Sequence, residues 1–563
     1  MPIDLITTRG EQLLADGSTP WQVYPRPQLK RNSYVNLNGS WEFTVSPDGQ
    51  LPQVYERTIL VPFCPESQLS GLKFHPKDGD FLFYRRSFST PELPAGGRLL
   101  LHIDGADQVA EVYVNQKHIS SHAGGYEAFT LDITDALAET NELVIRCRDD
   151  LRDQTFPYGK QTLKRGGMWY TPVSGIWQSV WLEVVPERYI RRLNIENRGS
   201  SVTISAEPAL DGTVIIPGVG EFPLGSTVTP DNPRLWSPED PYLYEFTVEA
   251  GDDRVESYFA LRSLEIKTVD GYPRLCLNGK PYFFHGLLDQ GYWPEGLLTP
   301  PAPESYADDI LAMKALGFNT LRKHIKVEPE EFYYQCDKLG MVVFQDMVNN
   351  GDYNFLRDTA LPTVGIQKLD DRKLHRDEAT RKAFLESMEA TVRQLKNHPS
   401  ICYWTIFNEG WGQFDSDNVC AQFRKLDSTR FIDATSGWFR RSNTDVDSRH
   451  VYFKPIRLKA ADKPLVLSEF GGYSYKPEGH VFNTEQTYGY GKFADPGEFA
   501  DAVDALYREQ VIPAAETGLC AAIYTQVSDV EDETNGLLSY DRKVNKMDRA
   551  RMLQIAKALQ LTK

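Results

Sequence analysis

The stretch ICYWTIFNEGW (401–411) is an apolar run of strand length that ends in an amide and an acid, Asn408-Glu409. A buried strand ordinarily hands over to Gly, Pro, Ser or Asp in a turn, so two polar residues set between aromatics mark the end of this run as a place with a purpose. Seven further β-type runs accompany it: YFFHGLLD (282–289), NTLRKHI (319–325), MVVFQDM (341–347), FIDATSG (431–437), HVYFKP (450–455), LVLSEF (465–470) and CAAIYTQVSD (520–529). Between most of them the apolar period lengthens from about two residues to about 3.6, the signature of a helix. Such stretches fall at 305–316, 329–339, 377–397, 417–427 and 498–516, with another at 546–560. Eight strands with crossover helices predict a (β/α)8 TIM barrel over 265–563, whose chemistry sits at the strands' C-terminal ends. The insert 348–376 follows the third strand on that face and is expected to form part of its rim.

Upstream the rhythm is different. Short alternating runs such as GSWEFTVS, FLFYRRSFS, AEVYVNQKHI and NELVIRCRD predict a β-sandwich over 1–186, and a second, smaller one over 187–264 is read from VESYFALRS and its neighbours. The loop 152–172, rich in Gly, Lys and aromatics, is placed to reach the barrel mouth.

Composition narrows the function. A chain of 563 residues with a formal charge of −17 lacks the clustered Lys and Arg of a phosphate-backbone binder, so no nucleic-acid partner is expected. Its seven cysteines form no CxxC pair and read as reduced core residues. Neither a basic-then-apolar leader nor a run of about 18 apolar residues occurs, which predicts a cytoplasmic protein with no membrane partner.

At the strand ends two carboxylates stand out. Glu409 closes the fourth strand and Glu469, in SEFGG (468–472), closes the seventh, so barrel geometry brings both to one mouth. A carboxylate pair about 5–5.5 Å apart runs retaining glycoside hydrolysis. No HExxH, GxSxG or GxxxxGK[ST] motif competes, and neither a cofactor nor a metal is expected.

NLNGSWEF (36–43), YRRSF (84–88), VSGIWQSVWLE (173–183), LGFNTLRKHI (316–325), NEG (408–410) and SEFGG together resemble glycoside hydrolase family 2, the β-galactosidases, β-glucuronidases and β-mannosidases, over nearly the whole chain. The resemblance implies a jelly-roll, sugar-binding-like first domain, an immunoglobulin-like second domain and a catalytic barrel. It implies Glu409 as the acid/base, Glu469 as the nucleophile, Asn408 as a partner of the sugar 2-hydroxyl and Arg322 as the cation beside the nucleophile. Tyr452 is a candidate to orient Glu469. Trp293, Trp411, Trp438 and Tyr524 are candidates for stacking on a sugar. Asp289, Lys323, His324, Gln526 and Asp529 are candidates for hydroxyl contacts.

The family pattern is broken in places. Gly167-Met168-Trp169 stands where the large β-galactosidases carry an Asp, and HGLLDQGYWPEG (285–296) lacks their basic, histidine-rich run. The segment 529–543, DVEDETNGLLSYDRK, offers acids where bacterial β-glucuronidases carry Asn-x-Lys, and an acidic rim is expected to repel an acidic sugar, although Arg322, Lys323 and Lys326 are available to grip a carboxylate from another side. The expectation is a retaining exo-β-glycosidase, β-galactosidase-like first. The alternatives are a β-glucuronidase or β-galacturonidase, an arabinosidase, galactofuranosidase or mannosidase, and, in another class, a catalytically inactive carbohydrate-binding protein. The partner is a carbohydrate, with a homo-oligomer plausible from exposed sandwich edges.

Overall fold

The computed structural model describes residues 3–363, 365–366, 370–459 and 461–560. Residues 364 and 367–369 of the 348–376 insert therefore lie outside the described residues.

The first β region packs a six-stranded antiparallel sheet against a four-stranded one, with Trp41, Phe43, Tyr84, Leu101, Ile145 and Leu182 between them. The strand Val109–Val114 shows how the sequence does this: alternate residues are buried, as a period of two on a pleated strand requires. The helix Thr8–Asp16 precedes the sandwich yet docks on the barrel, through Thr7 to Glu295 and Arg9 to Asp308. The second region pairs a three-stranded and a four-stranded sheet over Ile204, Val214, Phe246, Val255 and Phe259.

The barrel strands, in chain order, are Phe284–Asp289, Thr320–Lys323, Val342–Asp346, Ile401–Asn408, Phe431–Ser436, Asp447–Val451, Leu465–Gly471 and Leu519–Thr525. All eight lie in one parallel sheet, and the first pairs with both the second and the eighth. The ladder stops between the fifth and sixth, where side chains take over: Ser436 Oγ lies 3.3 Å from Ser448 Oγ, and the Ile432 amide donates to the Asp445 carboxylate at 2.8 Å. Strand ends differ from the sequence reading by a residue or two in most cases, and by more in two. The sixth strand spans 447–451 rather than 450–455, which leaves Tyr452 just beyond it, and the eighth stops at Thr525, so Gln526 and Asp529 belong to the loop that follows.

Helices fall where the period predicts them. Glu378–Leu395 begins at Asp377, whose carboxylate accepts the Thr380 amide, and it buries Phe384, Met388, Val392 and Leu395. Phe384 stacks on Phe407 of the fourth strand at 4.9 Å, so truncating it to Ala would cost roughly 3–5 kcal/mol and loosen the strand that carries Asn408. No described helix is long and apolar enough to cross a membrane.

Candidate active site

Glu409 follows the fourth strand with φ at +52°, a left-handed backbone that costs a non-glycine residue about 1–2 kcal/mol. Two hydrogen bonds hold it there: its amide donates to the Ser436 carbonyl at 3.0 Å, and its carbonyl accepts from Trp438 Nε1 at 3.0 Å. The next residue must be glycine, because Gly410 has φ +79° and a Cβ would run into the Phe439 ring. The apolar run thus ends by turning one carboxylate into the barrel mouth.

Arg322, on the second strand, organises the opposite wall. Its guanidinium donates to Asp346 Oδ1 at 3.0 Å, to Glu469 Oε1 at 3.0 Å, to the Ser468 carbonyl at 3.0 Å and to Asn408 Oδ1 at 2.8 Å. A guanidinium only donates, so the Asn408 amide oxygen must face it and Nδ2 turns away. That nitrogen is buried and has no partner among the described residues, which leaves a donor for an oxygen from outside. Tyr452 donates to Glu469 Oε2 at 2.5 Å. Burial alone would raise the Glu469 carboxyl, but His450, Arg322, His324 and the Tyr452 hydroxyl outweigh it and hold the group down at about 2.

Between the two glutamates stands His450. Its Nδ1 is 2.8 Å from Glu409 Oε1 and 3.6 Å from Glu469 Oε2, while Nε2 lies 3.1 Å from Ser436 Oγ. One oxygen of each carboxylate and this ring nitrogen all lie within 4.8 Å of one another. His450 escaped the reading of the strands, although a signal existed: it sits two residues before Tyr452, on the same inward face.

The remaining candidates divide. His324 is near the pair, with Nδ1 2.8 Å from Asp346 Oδ2. Burial lowers this imidazole to about 4, while burial's tendency to raise Asp346 is overcome by Arg322 and His324, so a neutral ring donates from Nδ1 and keeps Nε2 as an acceptor. Trp438 packs edge-on against His450 at 5.5 Å. Trp411 stacks on Trp169 at 5.3 Å and meets Tyr353 at 5.6 Å, and its buried Nε1 has no partner among the described residues. Trp169 belongs to the loop 152–172, so the first-domain loop that carries Gly167 in place of an Asp brings an aromatic wall to the site two residues later.

Other residues are committed elsewhere. Asp289 pairs with Lys323 at 2.7 Å, and Lys323 and Lys326 both bind the buried Glu328, so none of the three is free for a sugar. Gln526 has no exposed surface and its Nε2 donates to Asn535 at 2.9 Å, while its buried Oε1 has no partner among the described residues. Trp293 lies under the Arg542 guanidinium, and Tyr524 is enclosed by Phe470 and Tyr507, so both are packing residues. The acids of 529–543 also turn inward: Asp529 pairs with Lys546 at 2.6 Å, Glu531 accepts the Thr171 amide at 2.9 Å, and Glu533 accepts from Tyr170 and Asn535. Burial raises Asp529 to about 6 and pushes Glu531 and Glu533 upward. The expected repelling rim is instead paired, by Lys546 and His480 within the barrel and by Thr171, Arg165 and Tyr170 of the first domain.

Three family models match this chain: the glycosyl hydrolase 2 galactose-binding domain-like model at 77–164, glycosyl hydrolases family 2 at 190–262, and the glycosyl hydrolases family 2 TIM barrel domain at 271–545. Together they take in well over half of it. A β-glucuronidase of Bacteroides fragilis is 26% identical over 67% of this chain and 56% of its own length. A β-galactosidase of Thermoanaerobacter pseudethanolicus is 25% identical over 63% of this chain and 49% of its own. The chain spans about half the length of these curated relatives. Among solved structures, the β-D-glucuronidase from Dictyoglomus thermophilum superposes with a TM-score of 0.72 at 18% identity, over 95% of this chain and 98% of that one, a likeness of fold.

Proposed function

Since the chain belongs to glycoside hydrolase family 2, we propose that it is a retaining exo-β-glycosidase that works through a covalent glycosyl-enzyme intermediate. The observation that carries this reading is the approach of Glu409 and Glu469 oxygens to within 4.8 Å. Inverting enzymes keep their carboxyl groups about 6.5–9.5 Å apart to admit a water, and retaining ones about 5–5.5 Å.

In the first step the Glu469 carboxylate attacks the anomeric carbon and forms an ester as the bond to the leaving oxygen breaks. Glu409 gives its proton to that oxygen. In the second step water attacks the same carbon, its proton passes to Glu409, and the ester breaks to free Glu469. Glu469 must be charged to attack, and the Arg322 guanidinium 3.0 Å away favours that state. The free Nδ2 of Asn408 is placed to donate to the sugar 2-hydroxyl, a bond that strengthens as the ring flattens. His450 holds the Glu409 carboxyl by its Nδ1.

Relatives of both names, β-glucuronidase and β-galactosidase, stand near this chain, so the β-galactosidase-like reading has no advantage over the uronidase one. An inactive binding protein would have no chemical need for Glu409, Glu469, Asn408 and Arg322 in this geometry. The test is hydrolysis of aryl β-glycosides followed by proton NMR. The first sugar released should be the β-anomer; an α-anomer, or no turnover across the panel, would refute the reading.

A further inference from the structure

Lys160 is a cation at the barrel mouth that no acid among the described residues holds. It comes from the first domain, is 5% exposed, and has neither a carboxylate within 4.0 Å nor a hydrogen-bond acceptor for Nζ among the described residues. Its Nζ stands 4.8 Å from the centre of the Trp411 ring, two residues beyond Glu409. Four other cations of the site are paired: Arg322 with Asp346 and Glu469, Lys323 and Lys326 with Glu328, and Arg165 with Glu531 and Asp532.

The backbone beneath it is fixed from both sides. Gln161 donates to Asp107 at 2.9 Å and to the Tyr126 hydroxyl at 3.1 Å, and its carbonyl oxygen accepts the Val173 amide at 2.7 Å. Tyr158 donates from its amide to the Asn349 carbonyl and from its hydroxyl to the Gly351 carbonyl, both on the barrel. Gly159 has φ +66°, and a Cβ there would press on the Tyr126 hydroxyl and the Ile325 carbonyl. The segment that carries the amine is therefore held in place.

An ammonium held at the mouth of a pocket without a close counter-charge is placed to pair with a ligand that supplies the charge. We propose that Lys160 is a specificity-determining residue that pairs with the carboxylate of a β-linked uronic acid, so that the glycone is a uronide rather than a neutral sugar. The inference rests on the reading of the chain as a β-glycosidase. Glu533, the acid that feels both Lys160 and Glu469, lies beyond ion-pair distance of Nζ and already accepts from Tyr170 and Asn535. His324 feels the same amine and keeps Nε2 as an acceptor for a neighbouring hydroxyl. A neutral sugar would fill the same space and leave the ammonium unpaired.

The experiment compares kcat/KM for aryl β-glucuronide, β-galacturonide, their methyl esters, β-galactoside and β-glucoside. The enzymes are the unaltered protein, Lys160→Met and Lys160→Arg, with thermal melting to check folding. The expected result is preference for a free uronide, a loss of about 100-fold on that substrate in Lys160→Met, and a change below about 3-fold on the neutral arms. Lys160→Arg should recover part of the loss, and the methyl ester should be as poor for the unaltered enzyme as the free acid is for Lys160→Met. Preference for galactoside, or equal losses on charged and neutral substrates, overturns the inference and leaves the glycosidase reading standing. Cleavage of no arm removes both.

Discussion

His450 Nδ1 stands 2.8 Å from Glu409 Oε1, in a barrel whose fifth and sixth strands are joined mainly by side chains rather than by a ladder. The ring is locked from behind: Nε2 meets Ser436 Oγ at 3.1 Å, Trp438 packs on its edge, and Ser436 is itself tied to Ser468 at 3.0 Å. The charged groups around it are Glu409, Glu469, Asp433 and Arg322. His450 acts through Glu409 as a positioning residue, so replacing it should harm the step that needs proton transfer more than substrate binding.

For His450→Asn we expect kcat to fall about 10- to 100-fold on an aryl glycoside with a poor leaving group, with KM within about 3-fold. With a good leaving group the first step needs little protonation, so the loss should shrink. Equal losses with both leaving groups would point to a merely structural role.

Removing the acid gives a sharper version of the same contrast. Glu409→Ala should lose most activity on poor leaving groups, about 10²- to 10⁴-fold, while the first step is spared on activated ones. Added azide has room in the vacated space and should yield a β-glycosyl azide. An α-glycosyl azide, or no rescue, would argue that Glu409 is not the acid/base.

Arg322 is predicted to set the acid limb of the pH profile. Glu469 titrates at about 2, below the ordinary range for Glu, so the nucleophile is charged across the working range and is lost only in strong acid. Arg322→Gln removes one of the opposing charges, so Glu469 should titrate higher and the acid limb of kcat/KM should move upward by about one unit or more. An unchanged limb would show that His450 and His324 suffice.

Stability should follow buried carboxyls with the opposite sign. Burial raises Glu66 to about 8 and Asp104 to about 7, above their unfolded values. A carboxyl raised in the folded state adds stability that is fully present below its unfolded pKa, near 4, and is lost as pH rises through 7 to 8. The melting temperature should therefore decline between about pH 5 and pH 8, and Glu66→Gln should flatten part of that decline. A Glu66→Gln protein whose melting temperature follows pH over this range as the unaltered protein's does would contradict the assignment.

The barrel was legible because its signals are local: strands with apolar runs, helices with a longer period, and polar residues at strand ends. Glu409 and Glu469 could be picked out on that ground, since a strand's end aims its last side chains at the mouth, whereas the roles of Asn408 and Arg322 came from the resemblance to family 2. Asp289, Gln526, Trp293 and Tyr524 obey the same rule and yet are tied to Lys323, Asn535, Arg542 and Tyr507, because nothing along the chain announces a partner that arrives from another loop. The acids at 529–543 show the same limit. Read alone they make a repelling rim, but Thr171, Arg165 and Tyr170 come from the first domain to bind them. Lys160 needed the folded chain for the converse reason: what singles it out is the lack of a partner.

The double displacement turns on which carboxylate becomes esterified. Incubation with an activated 2-deoxy-2-fluoro β-glycoside of the preferred glycone, followed by proteolysis and mass mapping, should place one glycosyl group on Glu469 within SEFGG and none elsewhere. A label on Glu409, or a protein that turns over its substrates with inversion and accumulates no adduct, would contradict the double displacement between these two residues.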